Sequence, residues 1–329
     1  MGDPFFTISI PTRNRAEMLR TALKSLLWQT CQDFECFIVD DGSTDDTPRV
    51  IEEFSKLGPF FGHRNPEQLT VPHCRNYAVR RAKGRFITFL DDDDLWMPTR
   101  LEEFKKAAES RPEVGFWYSN AYVWRYDRLI GEVFDPRREL PEGRVPGYYA
   151  IGDSQLPYLS TTMAIAKEAF DKVGLFREDL QIMVDTELCV RILAAGVPTG
   201  VLRRPLAVRR LHDAQITRNY DRAFAESMIT LKNAGAPPEV ERAHRDERVA
   251  ETAVYWIKSL EPAKARRFLL GSEMTRGPRY FKLLLSSLAP PALLGLLRRL
   301  RQAYLVSSAA PALADAESRR AAELIRTIL

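Results

Sequence analysis

Residues 84–96 read GRFITFLDDDDLW, an apolar run that passes directly into four consecutive aspartates, Asp91 to Asp94. The apolar residues between Phe86 and Leu90 are nearly continuous, which is typical of a strand buried on both faces of a parallel sheet. Open α/β sheets bind their ligands at the carboxyl ends of such strands. Four adjacent carboxylates repel one another, and a divalent cation would offset the cost of burying them, so the stretch predicts a metal site. A solvated acidic turn is the alternative.

The sequence before this stretch repeats a pattern of one strand followed by one helix. A predicted strand, Phe5 to Ile10, leads through the turn PTRNR (residues 11–15) into a helix with apolar residues at helical spacing. The second predicted strand, residues 34–39, ends in DDGSTD (residues 40–45) and leads into a helix over residues 46–57. Repeated β–α units predict an α/β fold in which helices flank a mostly parallel sheet.

Two acidic residues, Asp40 and Asp41, end the second predicted strand. At the edge of the sheet, a carboxylate can accept hydrogen bonds from the ring N–H of a nucleoside or from ribose hydroxyls. A dinucleotide-binding domain also has an acidic residue at this place, but residues 11–15 lack the glycines of its GxGxxG turn. The DDxxD metal motif of prenyl-transforming enzymes is excluded as well, because Leu95 to Met97 stand where its last aspartate would fall.

An arginine, Arg75, falls in the first turns of a predicted helix over residues 72–83. A cation at a helix N-terminus opposes the helix dipole, so its position suggests a nearby anion such as a diphosphate. A solvated surface arginine is the alternative.

The composition is that of an ordinary globular protein, with 45% hydrophobic and 28% charged residues. A chain of 329 residues is long enough for one large α/β domain and a smaller part. The net charge of +4 is too slight to indicate nucleic-acid binding. The four cysteines fit no zinc-ligand spacing and no secretory signal opens the sequence, so we expect a cytoplasmic protein.

From about residue 219 onward the sequence becomes a series of helical segments separated by prolines. Residues 262–301 carry nine basic residues and one acidic residue. The uncharged run over residues 283–297 is broken by prolines and is too short to span a membrane. Residues 279–305 are therefore either an interfacial segment that contacts an anionic membrane, at the inner face of the plasma membrane, or a packed helical pair with a basic exposed face.

Several short motifs together resemble the successive signatures of family 2 glycosyltransferases with the GT-A fold. In order, they are PTRNR (11–15), VDDGSTD (39–45), Arg75-Asn76 before a short helix, and LDDDDLW (90–96). The resemblance continues in VGLFRE (173–178), in the helix VDTELCVRILAAG (184–196) and in Arg209 to His212. The family's helix signature begins with glutamate where this sequence has Val184.

The resemblance implies a nucleotide-sugar donor and a cofactor of Mg2+ or Mn2+. Asp93 would be the direct metal ligand, and His212 would complete the metal shell or touch a phosphate. A partly buried histidine on a strand is the alternative for His212. The residues that would border or hold the donor are Pro11, Thr12, Arg13, Asn14, Arg15, Asp40, Asp41, Arg75, Asp91 and Asp92.

Two acids near the start of the helix over residues 184–196, Asp185 and Glu187, lie roughly 200° apart around a helix axis, so they cannot both face one sugar. The family pattern selects Asp185 as the catalytic base and leaves Glu187 for structure or acceptor contact. A solvated acidic helix N-terminus would explain both residues without catalysis.

We therefore expect an inverting, metal-dependent glycosyltransferase that moves a sugar from a UDP-linked donor to a glycan or lipid-linked acceptor in cell-surface polysaccharide or glycoconjugate synthesis. The alternative is a nucleotide-sugar-binding or scaffolding protein of the same fold without catalysis, which the departure at Val184 favours. We expect a GT-A catalytic domain over residues 1–218 and a helical C-terminal region over residues 219–329. No nucleic-acid partner is expected.

Overall fold

The computed structural model describes residues 2–151, 156–212, 219–295 and 316–329. Within these residues the chain divides into two compact units. The first unit holds the sheet, the helices up to residue 194 and the last helix of the chain. The second unit holds the four helices between residues 220 and 286.

The strands of the described residues form one mixed sheet. They are β1 (Phe6–Thr12), β2 (Phe34–Asp40), β3 (Phe60–Arg64), β4 (Phe86–Phe89), β5 (Leu95–Trp96), β6 (Phe116–Arg125), β7 (Arg128–Glu132), β8 (Met163–Ala166) and β9 (Thr199–Arg210). Their order is β3-β2-β1-β4-β8-β6-β9-β5, with β7 paired to β6. The run from β3 to β4 is parallel, whereas β8 is antiparallel to β4 and β6, and β5 is antiparallel to β9.

In the described ranges, six helices accompany the strands of the first unit, four full helices follow in the second unit, where residues 291–295 are helical as well, and one lies at residues 316–328. Those of the first unit are α1 (Ala16–Leu27), α2 (Thr47–Ser55), α3 (Val71–Arg81), α4 (Arg100–Ser110), α5 (Lys167–Val173) and α6 (Val184–Ala194). The others are α7 (Tyr220–Asn233), α8 (Pro238–Lys258), α9 (Pro262–Gly271), α10 (Pro278–Ser286) and α11 (Ala316–Ile328). Short 3-10 helices cover Gly147–Ala150 and Ser160–Thr162.

Alternation of side chains along β1 explains how helices cover both faces of the sheet. Ile8 and Ile10 are fully buried in one core with Leu19 and Leu23 of α1. Ser9 lies between them and points to the opposite face, where α3 packs against β1 and β2. Because β1, β2 and β4 are parallel neighbours, their carboxyl ends lie side by side at one edge.

The last helix, α11, packs against strands at the far end of the sheet. Its residues Ala321, Ile325 and Ile328 share a core with Leu95 of β5 and Val208 of β9. The sequence predicts one helical C-terminal region over residues 219–329. The structure differs from this at residues 316–329, because the apolar face of α11 is buried in the first unit. The predicted boundary at residue 218 lies outside the described residues.

The four helices of the second unit enclose a core of their own. Val249 and Ala253 of α8 pack with Leu269 of α9 and with Tyr280 and Leu283 of α10. Within the described ranges, none of the helices combines the length and the apolar character that crossing a membrane requires. The predicted interfacial segment, residues 279–305, is described only as far as residue 295.

Candidate active site

The four aspartates follow β4 at once and are folded into a tight turn. The backbone N–H of Asp94 donates to the carbonyl of Asp91 at 3.0 Å, which closes the turn. The turn brings together the carboxylates of Asp91, Asp93 and Asp94, with one oxygen from each lying within 4.8 Å of the others. Oxygen ligands so arranged suit a hard divalent cation such as Mg2+ or Mn2+, so the cluster fits the predicted metal.

Asp92 is not part of this cluster. Its carboxylate accepts one hydrogen bond from the Thr12 hydroxyl and one from Arg15 Nη1, both at 2.8 Å. Burial raises the pKa of Asp92 to about 6, and the charge of Arg15 opposes that rise. Both carboxylate oxygens are engaged, so Asp92 ties the acidic turn to the turn after β1.

Asp94 is a member of the cluster that the sequence did not single out. It is buried, and its Oδ1 accepts a hydrogen bond from the backbone N–H of Arg210 at 3.0 Å. Burial, with the neighbouring charges of Asp93 and Asp91, raises the pKa of Asp94 well above its usual range. A run of four aspartates in a sequence does not show which carboxylates come together, because the conformation of the turn determines their directions. The available signal was the turn-forming character of the run itself.

Two predicted site residues meet at Asp93. Its Oδ2 lies 2.8 Å from Arg15 Nη1 and 3.0 Å from His212 Nε2. Behind them, the guanidinium of Arg210 donates to the backbone carbonyl of Asp93 and, at 3.2 Å, to that of Asp92. Arg210 fixes the shape of the turn, and the sequence offered it only as part of the stretch from Arg209 to His212.

The turn after β1 is fastened to the loop after β2. Asn14 has a φ of 52°, in the left-handed region that asparagine tolerates better than most residues. Its side-chain oxygen accepts a hydrogen bond from the N–H of Thr44 at 2.7 Å, and its own N–H donates to the hydroxyl of Ser43 at 2.9 Å. Pro11 is buried in β1, whereas the side chain of Arg13 is exposed. The two loops thus form one continuous border at the carboxyl edge of the sheet.

The two acids at the end of β2 are both buried, but they are used differently. Asp41 Oδ1 accepts hydrogen bonds from the Asn65 side chain and from a backbone N–H, each at 2.8 Å. Asp40 Oδ1 accepts one from the N–H of Ser43 at 2.8 Å. Asp40 Oδ2 is buried without a hydrogen-bond partner in the described part of the chain, with Arg64 Nε at 3.6 Å. An unpaired buried acceptor is costly, so Asp40 is the acid suited to accept a hydrogen bond from a ligand.

A buried arginine, Arg75, joins the acidic cluster to α6. Its Nη2 donates to Asp91 Oδ1 at 2.8 Å, and its Nη1 donates to Asp185. The guanidinium carbon lies 5.5 Å from the ring centre of Phe89 and 5.6 Å from that of Phe176. Arg75 is 3% exposed, so the alternative of a solvated surface arginine is wrong. One guanidinium therefore links the metal-site candidates to the candidate base.

Helix α6 directs its two acids to different partners. Asp185 contacts Arg75, whereas Glu187 is 2% exposed and lies 2.8 Å from Arg191 on the next turn. The solvated helix N-terminus is therefore the wrong account of Glu187. Burial raises the pKa of Asp185, and the charge of Arg75 opposes the rise. Val184 is buried at the first helical position, and Asp185 still reaches Arg75 beside it.

Two further polar side chains, Ser160 and Asn76, hold the surroundings of Arg75 and Asp185 in place. The hydroxyl of Ser160 donates to Asp91 Oδ2 at 2.6 Å, and no motif in the sequence indicated it. Asn76 accepts a hydrogen bond from the N–H of Phe176 and donates to its carbonyl, each at 2.9 Å. Because Asn76 follows Arg75 on α3, this contact fixes α3 to the segment that leads into α6.

Comparison with known proteins agrees with the motifs. Residues 7–174 match the family model described as "Glycosyl transferase family 2". An uncharacterized glycosyltransferase of Haemophilus influenzae is 27% identical, with the alignment covering 89% of this chain and 99% of that protein. The UDP-Glc:alpha-D-GlcNAc-diphosphoundecaprenol beta-1,3-glucosyltransferase WfaP of Escherichia coli is 28% identical over 70% of this chain and 86% of that protein.

Solved structures show the same arrangement of strands and helices. The mannosyltransferase PcManGT from Pyrobaculum calidifontis, in complex with GDP-Man and Mn2+, has a TM-score of 0.58 at 21% identity, covering 95% of this chain and 88% of that one. S. aureus TarS 1–349, in complex with UDP-GlcNAc, has a TM-score of 0.56 at 17% identity, covering 100% and 90%. Both have the GT-A fold, so the predicted α/β fold is confirmed.

Proposed function

The chain belongs to glycosyltransferase family 2, and from this premise we propose that it transfers a sugar from a UDP-linked donor to a hydroxyl of a lipid-linked acceptor, with inversion and with a divalent metal. Family membership makes it a transferase of sugars. The donor, the acceptor, the metal and the stereochemistry are the content of the proposal.

The observation that carries the proposal is the position of the acidic cluster beside the Arg75–Asp185 pair. Asp91, Asp93 and Asp94 supply three oxygens within 4.8 Å of one another, a donor set that fits Mg2+ or Mn2+. A divalent ion held there would neutralise the charge that develops on a leaving diphosphate. Arg75 contacts both Asp91 and Asp185. This arginine would therefore hold the candidate metal ligand on the donor side next to the candidate base on the acceptor side.

The donor side of the site rests on the border formed by the loops after β1 and β2. Asp40 Oδ2 is the buried acceptor that a nucleobase N–H or a ribose hydroxyl can satisfy. Arg15 lies against Asp93 and brings a fixed positive charge to the place where a diphosphate would bind. Asp41 and Asp92 hold the loops, so we assign them supporting roles in donor binding.

Asp185 is the base in the proposed reaction. An inverting transfer needs one group to take the proton of the acceptor hydroxyl while its oxygen attacks the anomeric carbon opposite the leaving diphosphate. Burial raises the pKa of Asp185, which makes its carboxylate a stronger base, and Arg75 keeps it ionised and oriented. Glu187 takes no part, because it is buried and paired with Arg191.

The donor and acceptor classes follow the relatives. WfaP is named for a UDP-glucose donor and a diphosphoundecaprenol-linked acceptor, and TarS was solved with UDP-GlcNAc. We propose the same classes for this chain, and with them a part in the synthesis of surface polysaccharide.

The four cysteines, Cys31, Cys36, Cys74 and Cys189, are free, which supports the expectation of a reducing cytoplasmic site of action.

The test is the Mn2+ dependence of UDP binding in Asp93→Ala. We expect isothermal titration to show Mn2+-dependent UDP affinity in the wild type and its loss in the variant, because a neighbouring carboxylate cannot replace a ligand in fixed geometry. Asp171→Ala is the matched control, since Asp171 is exposed on α5. Unchanged Mn2+-dependent affinity in Asp93→Ala would overturn the metal assignment. A product that retains the donor's anomeric configuration would overturn the inverting mechanism.

A further inference from the structure

The second unit carries an unusual concentration of exposed apolar side chains. Six of the thirteen exposed large hydrophobic residues in the described chain fall between residues 260 and 293. They are Leu260, Leu270, Phe281, Leu285, Leu288 and Leu293. Single exposed leucines are ordinary on a protein surface, whereas a contiguous group of them marks a surface that binds something.

Three of these residues form a stripe along one side of α10 and the turn after it. Phe281, Leu285 and Leu288 follow each other at intervals of four and three residues, the spacing of one helix face. They are 58%, 71% and 57% exposed. The opposite side of the same helix buries Tyr280 and Leu283 in the core of the unit. One face of α10 is therefore packed in the core of the second unit, and the stripe on its other side stays exposed in the described unit.

Basic residues outnumber acidic ones in the sequence around the stripe. From Pro262 to Gly295 the sequence has six basic residues and one acidic residue, Glu273, which is paired with Arg245. Lys264 pairs with Asp221 and Arg279 with Glu247, whereas Arg266, Arg267 and Lys282 form no ion pair with an acid among the residues that the structure describes. Charges left unpaired on one surface favour an anionic partner.

A groove is lined by Arg266 and Arg267 and by Leu288, the last residue of the stripe. It has a volume of about 420 Å³ and lies between the start of α9 and the residues that follow α10. Its charged lining residues are Lys264, Arg266, Arg267 and one acid, Glu261, and its apolar lining includes Leu288, Pro290 and Pro291. A groove whose lining has three cations against one acid, together with apolar residues, matches an amphiphile that has an anionic head and an apolar tail.

We infer that this surface, formed by Phe281, Leu285 and Leu288 with Arg266 and Arg267, docks the protein on an anionic phospholipid membrane. The apolar side chains enter the boundary between headgroups and acyl chains, and the guanidinium groups pair with lipid phosphates. The inference goes beyond the proposed sugar transfer. Attachment to the bilayer would confine the enzyme's diffusional search for a lipid-linked acceptor to the plane of the membrane.

A second copy of the chain fits the surface less well. In a symmetric dimer each face meets itself, so the stripe would bring the Arg266–Arg267 pair of one copy near that of the other. Like charges brought together at an interface oppose association. An anionic membrane offers phosphate groups that pair with the two arginines and an acyl-chain region that buries the apolar stripe.

The test is sedimentation of the full chain with vesicles, without any nucleotide sugar. We expect binding to vesicles that contain phosphatidylglycerol, little binding to pure phosphatidylcholine, and loss of binding as salt is raised from about 0.05 M to about 0.5 M. The stripe variant Phe281→Gln/Leu285→Gln should lose at least about tenfold in partitioning. The charge variant Arg266→Glu/Arg267→Glu should lose at least about 25-fold, because each basic residue near the surface contributes about fivefold.

Matched controls are Leu57→Gln, at an exposed leucine of the first unit, and Lys24→Glu/Arg128→Glu, which makes the same change in net charge. These controls should bind as the wild type does. Failure of the wild type to bind anionic vesicles, or equal binding by the stripe variant, overturns the inference. A wild-type dimer in light scattering that the stripe variant converts to monomer, with no vesicle binding, would assign the surface to a second copy instead. Transfer to a soluble acceptor without vesicles should be unchanged in the stripe variant, so this inference and the proposed function can fail separately.

Discussion

At the scale of single residues, Arg75 decides how the candidate site is organised. Its two terminal nitrogens reach Asp91 and Asp185, and two aromatic rings flank its guanidinium. A buried cation between two carboxylates orients both of them, at the cost of desolvating all three groups. The two acids of α6 separate accordingly into one that faces Arg75 and one, Glu187, that is held by Arg191.

Substitution of each acid by its amide separates chemistry from structure. Asp185→Asn keeps the size of the side chain but cannot accept the proton, so kcat should fall roughly 10²–10⁴-fold while donor affinity changes little. Glu187→Gln should keep kcat within a few-fold and lower the free energy of unfolding by about 1–3 kcal/mol, because it weakens a buried charged hydrogen bond. Steady-state kinetics and urea denaturation measure both. An active Asp185→Asn enzyme would place the base elsewhere.

Arg75→Gln should change the pH dependence of transfer. Burial raises the pKa of Asp185 and the charge of Arg75 counteracts the rise, so removing that charge raises the pKa further. The base acts in its ionised form, and the acidic limb of kcat should therefore move to higher pH. The profile is measured at saturating donor, with Arg80→Gln as control, since Arg80 is half exposed on the same helix and pairs with Glu178. An unmoved limb would mean that Arg75 does not act on the base.

The sequence indicated which residues of the candidate site lie together better than it indicated how they pair. Asp93, His212, Arg75 and Asp185 are drawn together as the motif order implies. The sequence could not show that Asp92 stands outside the metal-site cluster, because that depends on the four-residue turn and on the contact of Asp92 with distant Thr12. Ser160 was missed for a similar reason, since it reaches Asp91 across 69 positions of sequence.

At the scale of elements, the acidic turn depends on how α4, β4 and β8 are joined. Arg100 of α4 is fully buried, and its Nη2 donates to the Thr88 hydroxyl of β4 at 3.0 Å and to the Met163 carbonyl of β8 at 3.1 Å. Its guanidinium carbon lies 4.3 Å from the ring of Trp96 and 4.2 Å from that of Phe104. Burial lowers the pKa of Arg100 well below its usual range. No carboxylate among the described residues pairs with it.

This cation should cost stability. We expect Arg100→Met to leave the free energy of unfolding unchanged or to raise it by about 1–4 kcal/mol, because an apolar side chain of similar length avoids the desolvation of the guanidinium. Arg100→Ala is the comparison, and it should destabilise through the cavity that it leaves. Urea denaturation at neutral pH distinguishes the two variants. A loss larger than about 2 kcal/mol in Arg100→Met would show that the hydrogen bonds outweigh desolvation.

The long elements near the start of the chain were predictable, and the short ones were not. Strands β1 and β2 and helices α1 to α3 carry the periodic patterns from which their existence was inferred. Strands β5 and β8 have two and four residues, too few for any period, and their partners lie far away in sequence. The antiparallel pairs that β5 and β8 form thus emerge only from tertiary pairing, which the β–α repeats could not indicate.

At the scale of the whole molecule, the described chain forms the helices of a second unit and then supplies one more helix, α11, to the first. The sequence predicts helices throughout the C-terminal region, but it cannot say which unit an amphipathic helix covers. Helix α11 lies with β5 and β9, the strands next to the acidic turn and to Arg210. Its packing therefore bears on the shape of the candidate active site.

Ile325→Ala tests this role of α11. Ile325 is fully buried, so the substitution should lower the free energy of unfolding by about 2–4 kcal/mol through a cavity beside β5 and β9. Leu329→Ala, at a residue that is 45% exposed, should cost less than about 0.5 kcal/mol. Mn2+-dependent UDP affinity should weaken in the first variant and not in the second. Equal stability of the two variants would show that α11 contributes little to the first unit.

The late position of α11 also has a consequence for protein synthesis. About a hundred residues separate His212 from Ala316, and at roughly 5–20 residues per second the ribosome needs about 5–20 s to make them. Throughout that interval Leu95 and Val208 lack the helix that covers them, so the nascent chain presents a bare apolar sheet end to chaperones and to other nascent chains. The unit whose strands are translated first is consequently the last to be completed.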